Sequence, residues 1–326
     1  MIETNKIVTV IGGSGFVGRY IVQRLAKMGM RVRVAVRNPS HAHDLVVSGT
    51  VGQVVPVQCN IRNFDSVSAA IDGADYVVNC VGILYETSKQ TFEKTQYEGA
   101  KNIAQACKAH NIEKLVHISA IGANEKSKST YAKTKAQAEV AILDLMPNST
   151  ILRPSIIFGA EDNFFNLFAR LASLSPILPL VGGGSTLFQP VYVDDVAQAV
   201  TYSLENTQTN GKIYELGGVN QYSFKQLMEK MLFQIGKKRL LVPMPFLLAK
   251  FKAFFLQLLP KPLLTIDQVE LLKYDNIVAR DALTFKDLSI RPTDIDIILP
   301  TYLRTYRKAG DYDLGTGFNH KTGRNS

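Results

Sequence analysis

Tyr131 and Lys135 stand four residues apart in "STYAKTKAQAEVAI", at the start of a segment with helical character. Residues at i and i+4 share one face of a helix, so the phenol and the ammonium can reach a single ligand. Such a pair can act as an acid/base catalyst or clamp a bound nucleotide. Upstream, Gly12, Gly15 and Gly18 form G-x-x-G-x-x-G between the run "IVTVI" and a helical pattern opening with Phe16 and Val17. The first glycine permits a tight turn, the second lets backbone approach a pyrophosphate, and the third lets helix pack on strand. A pyrophosphate there would meet the free N–H groups of Phe16 and Val17 and the positive end of a helix dipole. The second strand then ends in "VAVRNPS". NAD-selective sites carry an acid at this place, whereas Arg37 would meet a 2′-phosphate, so NADP(H) is expected in preference to NAD(H).

The elements that must position these residues follow from periodicity. Strands are expected at 6–11, 31–36, 54–58, 75–82, 114–120 and 150–155, with helices near 16–29, 64–72, 91–110 and 131–146. That alternation predicts an α/β fold of the Rossmann type, a doubly wound parallel sheet covered on both faces. After Phe158 the rhythm becomes less regular, predicting a dinucleotide-binding part over 1–155, a smaller apolar and basic part over 156–308 that completes the cleft, and a flexible tail over 309–326.

With 46% hydrophobic and 20% charged residues, the 326-residue chain has the composition of an ordinary globular protein. Of its net charge of +9, seven lie from Gln221 onward, where 17 Lys and Arg face 10 Asp and Glu. An acidic partner for this third, such as anionic lipid or a protein surface, and a plain solvated face are both open. Residues 243–264, "PMPFLLAKFKAFFLQLLPKPLL", are interrupted by Lys250, Lys252 and Pro260 and are too short to span a bilayer. Leu247, Phe251, Phe254, Phe255 and Leu258 share one helical arc, which suits either an interfacial helix on an anionic membrane or a helix packed on its own protein. The start of the chain shows no secretory or transit pattern, so a cytoplasmic protein or a mature form is expected. Cys59, Cys80 and Cys107 lack CxxC spacing and are expected to be buried, reduced thiols. The five histidines show no metal spacing, and the basic "KKR" at 237–239 is too small to argue for nucleic acid. Asp194 and Asp195 read as a helix N-cap and a first-turn acid.

These features resemble the extended and atypical short-chain dehydrogenase/reductase superfamily. The resemblance implies that Tyr131 is the proton donor or base, and that Lys135 holds the nicotinamide ribose and lowers the tyrosine pKa. It places Asn60 and Ile61 beside adenine, Val81 and Gly82 at the end of the fourth strand, and Pro154, Ile156 and Ile157 of "RPSIIFG" against nicotinamide and substrate. One departure stands out. Of three hydroxyl positions expected in "HISAIGANEKSKSTY", Ser119 fills the first, but Ala120 and Ile121 fill the next two, and the catalytic hydroxyl belongs at Ile121. The loop before Tyr131 is also about half the usual length, although Ser127, Ser129 and Thr130 stand within it.

The combination of "HISAIGANEKSKSTYAKTKAQAE", "ILRPSIIFGAEDNFFNLFA" and "PLVGGGSTLFQPVYVDDVAQAV" with an apolar, basic C-terminal third is similar to the nucleotide-binding accessory subunits of respiratory complex I (NADH:ubiquinone oxidoreductase) and their bacterial relatives. That resemblance implies a tightly held NADPH, no assigned turnover, complex I subunits as partners, and a peripheral place at the junction with the membrane. Two other functions fit the same residues: an NADP-dependent reductase, epimerase or dehydratase acting through Tyr131 and Lys135, and a sensor of the NADP(H) pool.

Overall fold

The computed structural model describes residues 6–307, so the tail expected over 309–326 lies outside the described residues. Seven strands form one parallel sheet: β1 (Ile7–Ile11), β2 (Arg31–Val36), β3 (Val54–Gln58), β4 (Tyr76–Asn79), β5 (Lys114–Ile118), β6 (Thr150–Pro154) and β7 (Ile213–Leu216). Their spatial order is β3-β2-β1-β4-β5-β6-β7, so the strand order reverses between β1 and β4, where open α/β sheets bind ligands. The helices are α1 (Phe16–Lys27), α2 (Phe64–Ile71), α3 (Glu98–Ala109), α4 (Thr130–Leu145), α5 (Phe165–Leu174), α6 (Val193–Glu205), α7 (Phe224–Gln234), α8 (Phe246–Leu256), α9 (Ile266–Leu271) and α10 (Ile295–Leu303).

The central strands bury apolar residues on both faces because helices cover both. Val8, Val10 and Val116 pack with Leu25 of α1 and Val200 of α6, while Val77, Leu115 and Ile151 pack with Ile103 of α3 and Ile142 of α4. The division expected at residue 155 is crossed: α6 and β7 come after it in sequence yet complete this sheet and its core. The remainder gathers on Phe158, Phe165, Phe224 and Leu299, beside a parallel pair formed by Ile177–Val181 and Leu240–Met244.

Two expectations need correction. The fourth strand ends at Asn79, not at 82, because the Asn79 side-chain carbonyl accepts the Val81 N–H at 3.0 Å and turns the chain out of the sheet. Neither Asp194 nor Asp195 caps α6 through its side chain; both sit in its first turn. Asp194 takes a two-pronged bond from Arg24 of α1, and Asp195 accepts from the N–H and hydroxyl of Thr293.

Candidate dinucleotide site

Gly12 leaves β1 with φ +80°, a conformation that disfavours any Cβ, and its loop lies against the end of β4, where an added Cβ would touch Val81 Cγ2 at 3.0 Å. Gly18 is tighter still, since a Cβ there would sit 2.5 Å from the Gly12 carbonyl oxygen and 2.6 Å from Gly13 Cα. Gly15 is the N-cap of α1 without a side-chain cap, so the N–H groups of Phe16, Val17 and Gly18 have no partner within the helix. A cradle of backbone donors at the switch in strand order fits a pyrophosphate. The Phe16 ring turns to the far wall, packing so closely that a Cβ at Gly159 would meet it at 3.2 Å.

At the other end of the cleft, Lys135 is buried and its Nζ donates to the Ile118 carbonyl at 3.0 Å. The same nitrogen lies 3.6 Å from where a Cβ on Gly82 would stand, so Gly82 borders the lysine directly. Burial lowers the Lys135 pKa to about 8, against the pull of Glu139 one turn along α4. Tyr131 packs edge-to-face on Phe92, with ring centroids 5.7 Å apart. Burial, with the Asp267 carboxylate adding to it, pushes the phenol up to about 12. In the chain by itself the value is thus raised and not lowered as the resemblance implied, because burial and the Asp267 carboxylate both raise it.

Ser119 does not offer its hydroxyl to the cleft. The hydroxyl donates to Glu139, which is buried and takes a two-pronged bond from Arg153 with closest contact 2.6 Å. Ile121 is buried, its N–H donating to the Pro154 carbonyl at 3.0 Å. Two of the upstream hydroxyls are engaged as well: the Ser129 oxygen accepts from the Ala132 N–H as the cap of α4, and the Ser127 oxygen accepts the Ser129 N–H. Asn60 turns its side-chain oxygen toward Arg62, and Ile61 packs so tightly against Gly99 that a Cβ there would lie 2.6 Å from it. Arg37 is exposed at the end of β2 with no ion-pair partner among the described residues. Pro154 ends β6, and Ile156 and Ile157 follow it, half-buried, on the wall facing α1.

The structure thus brings together Gly12, Gly15, Phe16, Val17, Gly18, Val81, Gly82 and Lys135, with Tyr131 one turn before Lys135. Residues 265–278, which the sequence did not single out, run along the open edge of the cleft. Asp267 accepts from the Ser129 hydroxyl at 2.7 Å and the Thr130 N–H at 2.6 Å, and Gln268 donates to the Leu84 carbonyl at 3.3 Å. Asn276 donates to the Ile121 carbonyl at 3.2 Å and accepts the Ser155 hydroxyl at 2.6 Å. Behind the sheet edge, His117 was missed too. The Val81 N–H fixes the Asn79 amide so that its nitrogen faces His117 Nδ1 at 3.0 Å, which leaves the ring proton on Nε2. Burial, with the Lys135 charge, holds this histidine well below its usual pKa and therefore neutral.

A parallel sheet in this order, with a glycine cradle at its switch point, defines a Rossmann-type NAD(P)-binding protein. Residues 8–217 match the NAD dependent epimerase/dehydratase family. The chain is 38% identical over 316 residues to "NADH dehydrogenase [ubiquinone] 1 alpha subcomplex subunit 9, mitochondrial" of Arabidopsis thaliana, covering 93% of this chain and 79% of that protein. It is 34% identical over 307 residues to "NADH-ubiquinone oxidoreductase 40 kDa subunit, mitochondrial" of Neurospora crassa, covering 94% and 81%. Among solved structures, dTDP-glucose 4,6-dehydratase DesIV of Streptomyces venezuelae with NAD and TYD bound superposes with a TM-score of 0.71 at 18% identity, over 92% of this chain and 96% of that one. The chain belongs to the NAD dependent epimerase/dehydratase family, in the branch of the nucleotide-binding accessory subunits of complex I.

Proposed function

We propose that this chain is an NADP(H)-holding accessory or assembly subunit of respiratory complex I, structural rather than catalytic. The observation that carries the reading is the contrast within one cleft. The phosphate cradle and Lys135 are arranged for a ligand, whereas buried Ile121 stands at the catalytic hydroxyl position and Ser119 is bonded to Glu139. Isoleucine can neither donate to a substrate oxygen nor steady charge developing on it. Gly12, Gly15, Phe16, Val17 and Gly18 hold the pyrophosphate in this reading, Lys135 and Tyr131 the nicotinamide ribose, and Arg37 the 2′-phosphate. The group would supply hydride chemistry where a partner substrate is present.

Partnership with complex I subunits is supported by the two mitochondrial relatives, each matched over more than nine-tenths of this chain. Peripheral contact with an anionic membrane is supported by α8. Its Ala249 and Ala253 face inward, while Leu247 is 83%, Phe251 63% and Phe254 53% exposed. No acid stands between Glu229 and Asp267, yet seven Lys and Arg do. A helix apolar outside and flanked by lysines suits lipid headgroups, and among the described residues no helix is long and apolar enough to cross a membrane. The reading places the chain at the cytoplasmic face of a bacterial inner membrane, or on the matrix side of a mitochondrial one.

Gentle isolation of the native protein tests this: NADP(H) should accompany it, and complex I subunits should co-migrate. A chain without nucleotide that never travels with the complex refutes it. The adjacency of Tyr131 and Lys135 on α4 favours a second reading, an NADP-dependent reductase, epimerase or dehydratase for a quinone-like, isoprenoid or nucleotide-sugar substrate. In that case turnover on such a compound would be abolished in Tyr131→Phe.

A further inference from the structure

Residues 265–278 touch the carboxyl edge of the sheet at successive loops. Asp267 holds the start of α4, Gln268 the loop after β4, and Asn276 the loops after β5 and β6, and the Val278 N–H donates to Gln189 at 3.1 Å. Tyr131 lies directly after the Thr130 amide that Asp267 takes, so the strap closes the nicotinamide end of the cleft and leaves the phosphate end alone. On α9 itself the anchors to the nicotinamide end are the two bonds of Asp267 and the one of Gln268, and those to Thr130 and Leu84 are open to solvent, the kind of contact that opens locally at low cost. One further tie leads away from the cleft. Glu270 of α9 bonds Lys250 of α8 at 2.7 Å and Lys273 at 2.9 Å, and α8 rests on α9 through a small cluster of Ala249, Ala253 and Val269.

The geometry points to a latch: residues 265–278 trap the nicotinamide end of the dinucleotide, and an anionic lipid surface that takes Lys250 from Glu270 opens the strap and loosens the dinucleotide. This inference rests on the reading above, that the chain holds NADP(H) and that α8 meets anionic lipid. Lipid is the occupant the charges favour, because Lys250, Lys252 and Lys261 rim the exposed apolar face with no acid among them. Phosphate headgroups compete for Lys250, while Glu270 keeps Lys273 and is not stranded. The two sites then share one two-state element, so lipid must weaken NADPH by the same factor by which NADPH weakens lipid binding.

The test is NADPH release from the full chain, followed by fluorescence after a chase with excess NADP⁺. It is run without vesicles, with phosphatidylcholine vesicles, and with equimolar phosphatidylcholine and phosphatidylglycerol vesicles. Release should quicken several-fold on the anionic vesicles only. Lys250→Gln, a surface change that leaves the Glu270–Lys273 bond, should release NADPH quickly without lipid and gain little from it. Hydrogen exchange of the α9 amides should rise in both cases, and NADPH should raise the vesicle Kd by the factor by which the vesicles raise the NADPH Kd at equilibrium. Equal release rates on protein that sediments with the vesicles would overturn the latch and leave the reading above intact. Absence of NADPH binding, or failure to sediment with anionic vesicles, would remove that reading and the latch together.

Discussion

The two ends of the cleft are built from different materials. The phosphate end is backbone: three glycines, a loop at φ +80° and unpartnered N–H groups at a helix start, with almost no side chain in the way. The nicotinamide end is side chains already bonded to one another, with Ser119 on Glu139, Ser129 on Asp267 and Ile121 buried under Asn276. A catalytic end needs donors held free for charge that develops in the transition state. Here the Ser119 and Ser129 hydroxyls already donate to Glu139 and Asp267, and Ile121 has none to give, so the same fold can retain the dinucleotide without offering these donors to a substrate oxygen.

The largest blow to this contrast should come from Gly18→Ala. Its methyl would lie 2.5 Å from a backbone oxygen that has little freedom to move, forcing apart the loop and α1. NADPH affinity should fall on the order of a hundredfold, equivalent to about 3 kcal/mol. Titration by NADPH fluorescence checks it, with thermal unfolding to confirm a folded chain. Gly15→Ala, whose Cβ would keep 3.2 Å from the Gly12 oxygen, serves as the milder companion. Unchanged affinity in both variants would mean the cradle does not hold the ligand.

The phosphate end was legible because its chemistry is local. Gly12, Gly15 and Gly18 lie within seven residues, and β-branched runs on either side fix strand then helix. The nicotinamide end was legible only where it is also local, in Tyr131, Lys135 and the substitution at Ile121. What Ser119 does could not be read, because its partner Glu139 is drawn inward by Arg153, a residue of another strand. The strap was invisible for the same reason. Asp267 and Asn276 meet partners more than 100 positions away, and no period or motif marks such contacts. The place of α6 and β7 in the main sheet escaped as well, since edge position is set by core packing and not by local pattern. On α8 the arc of Leu247, Phe251 and Phe254 was readable, and the structure leaves it exposed because alanines occupy the inward face.

A smaller effect separates the ends by pH. The Lys135 ammonium has a pKa lowered from 10.5 to about 8 by burial. Between those values the unfolded chain keeps a proton that the folded chain has released, so stability of the nucleotide-free protein rises with pH, at most about 1.4 kcal/mol per unit for one lysine. Below about 8 both states are protonated and the slope vanishes. NADPH affinity should move the opposite way, falling about tenfold from neutral pH to about 9.5 as a charged donor worth roughly 1.5–3 kcal/mol is lost. Lys114, buried at the far edge of the sheet and donating to Asn206 and Thr209, is also lowered to about 8. Urea unfolding and NADPH titration across this range should therefore distinguish two variants. Lys114→Met loses part of the stability slope only, whereas Lys135→Met loses part of that slope and the affinity slope as well.

The smallest expected effect is the most discriminating. Tyr131→Phe keeps the ring on Phe92 and removes one hydroxyl. If that hydroxyl only steadies a ribose, NADPH affinity should fall by less than about tenfold, the worth of one neutral hydrogen bond. Its phenol, held near 12 by burial and by Asp267, is poorly matched to proton transfer at neutral pH, where a catalytic group needs a pKa close to the medium. Closing the cleft around a charged nicotinamide would bring the tyrosine down toward Lys135, yet Ile121 would still leave the substrate oxygen without a second donor. Retention should therefore survive the substitution while Gly18→Ala destroys it. A Tyr131→Phe chain that held NADPH as before but lost turnover on a carbonyl or sugar substrate would reverse the contrast, making the nicotinamide end the working one and the strap its lid.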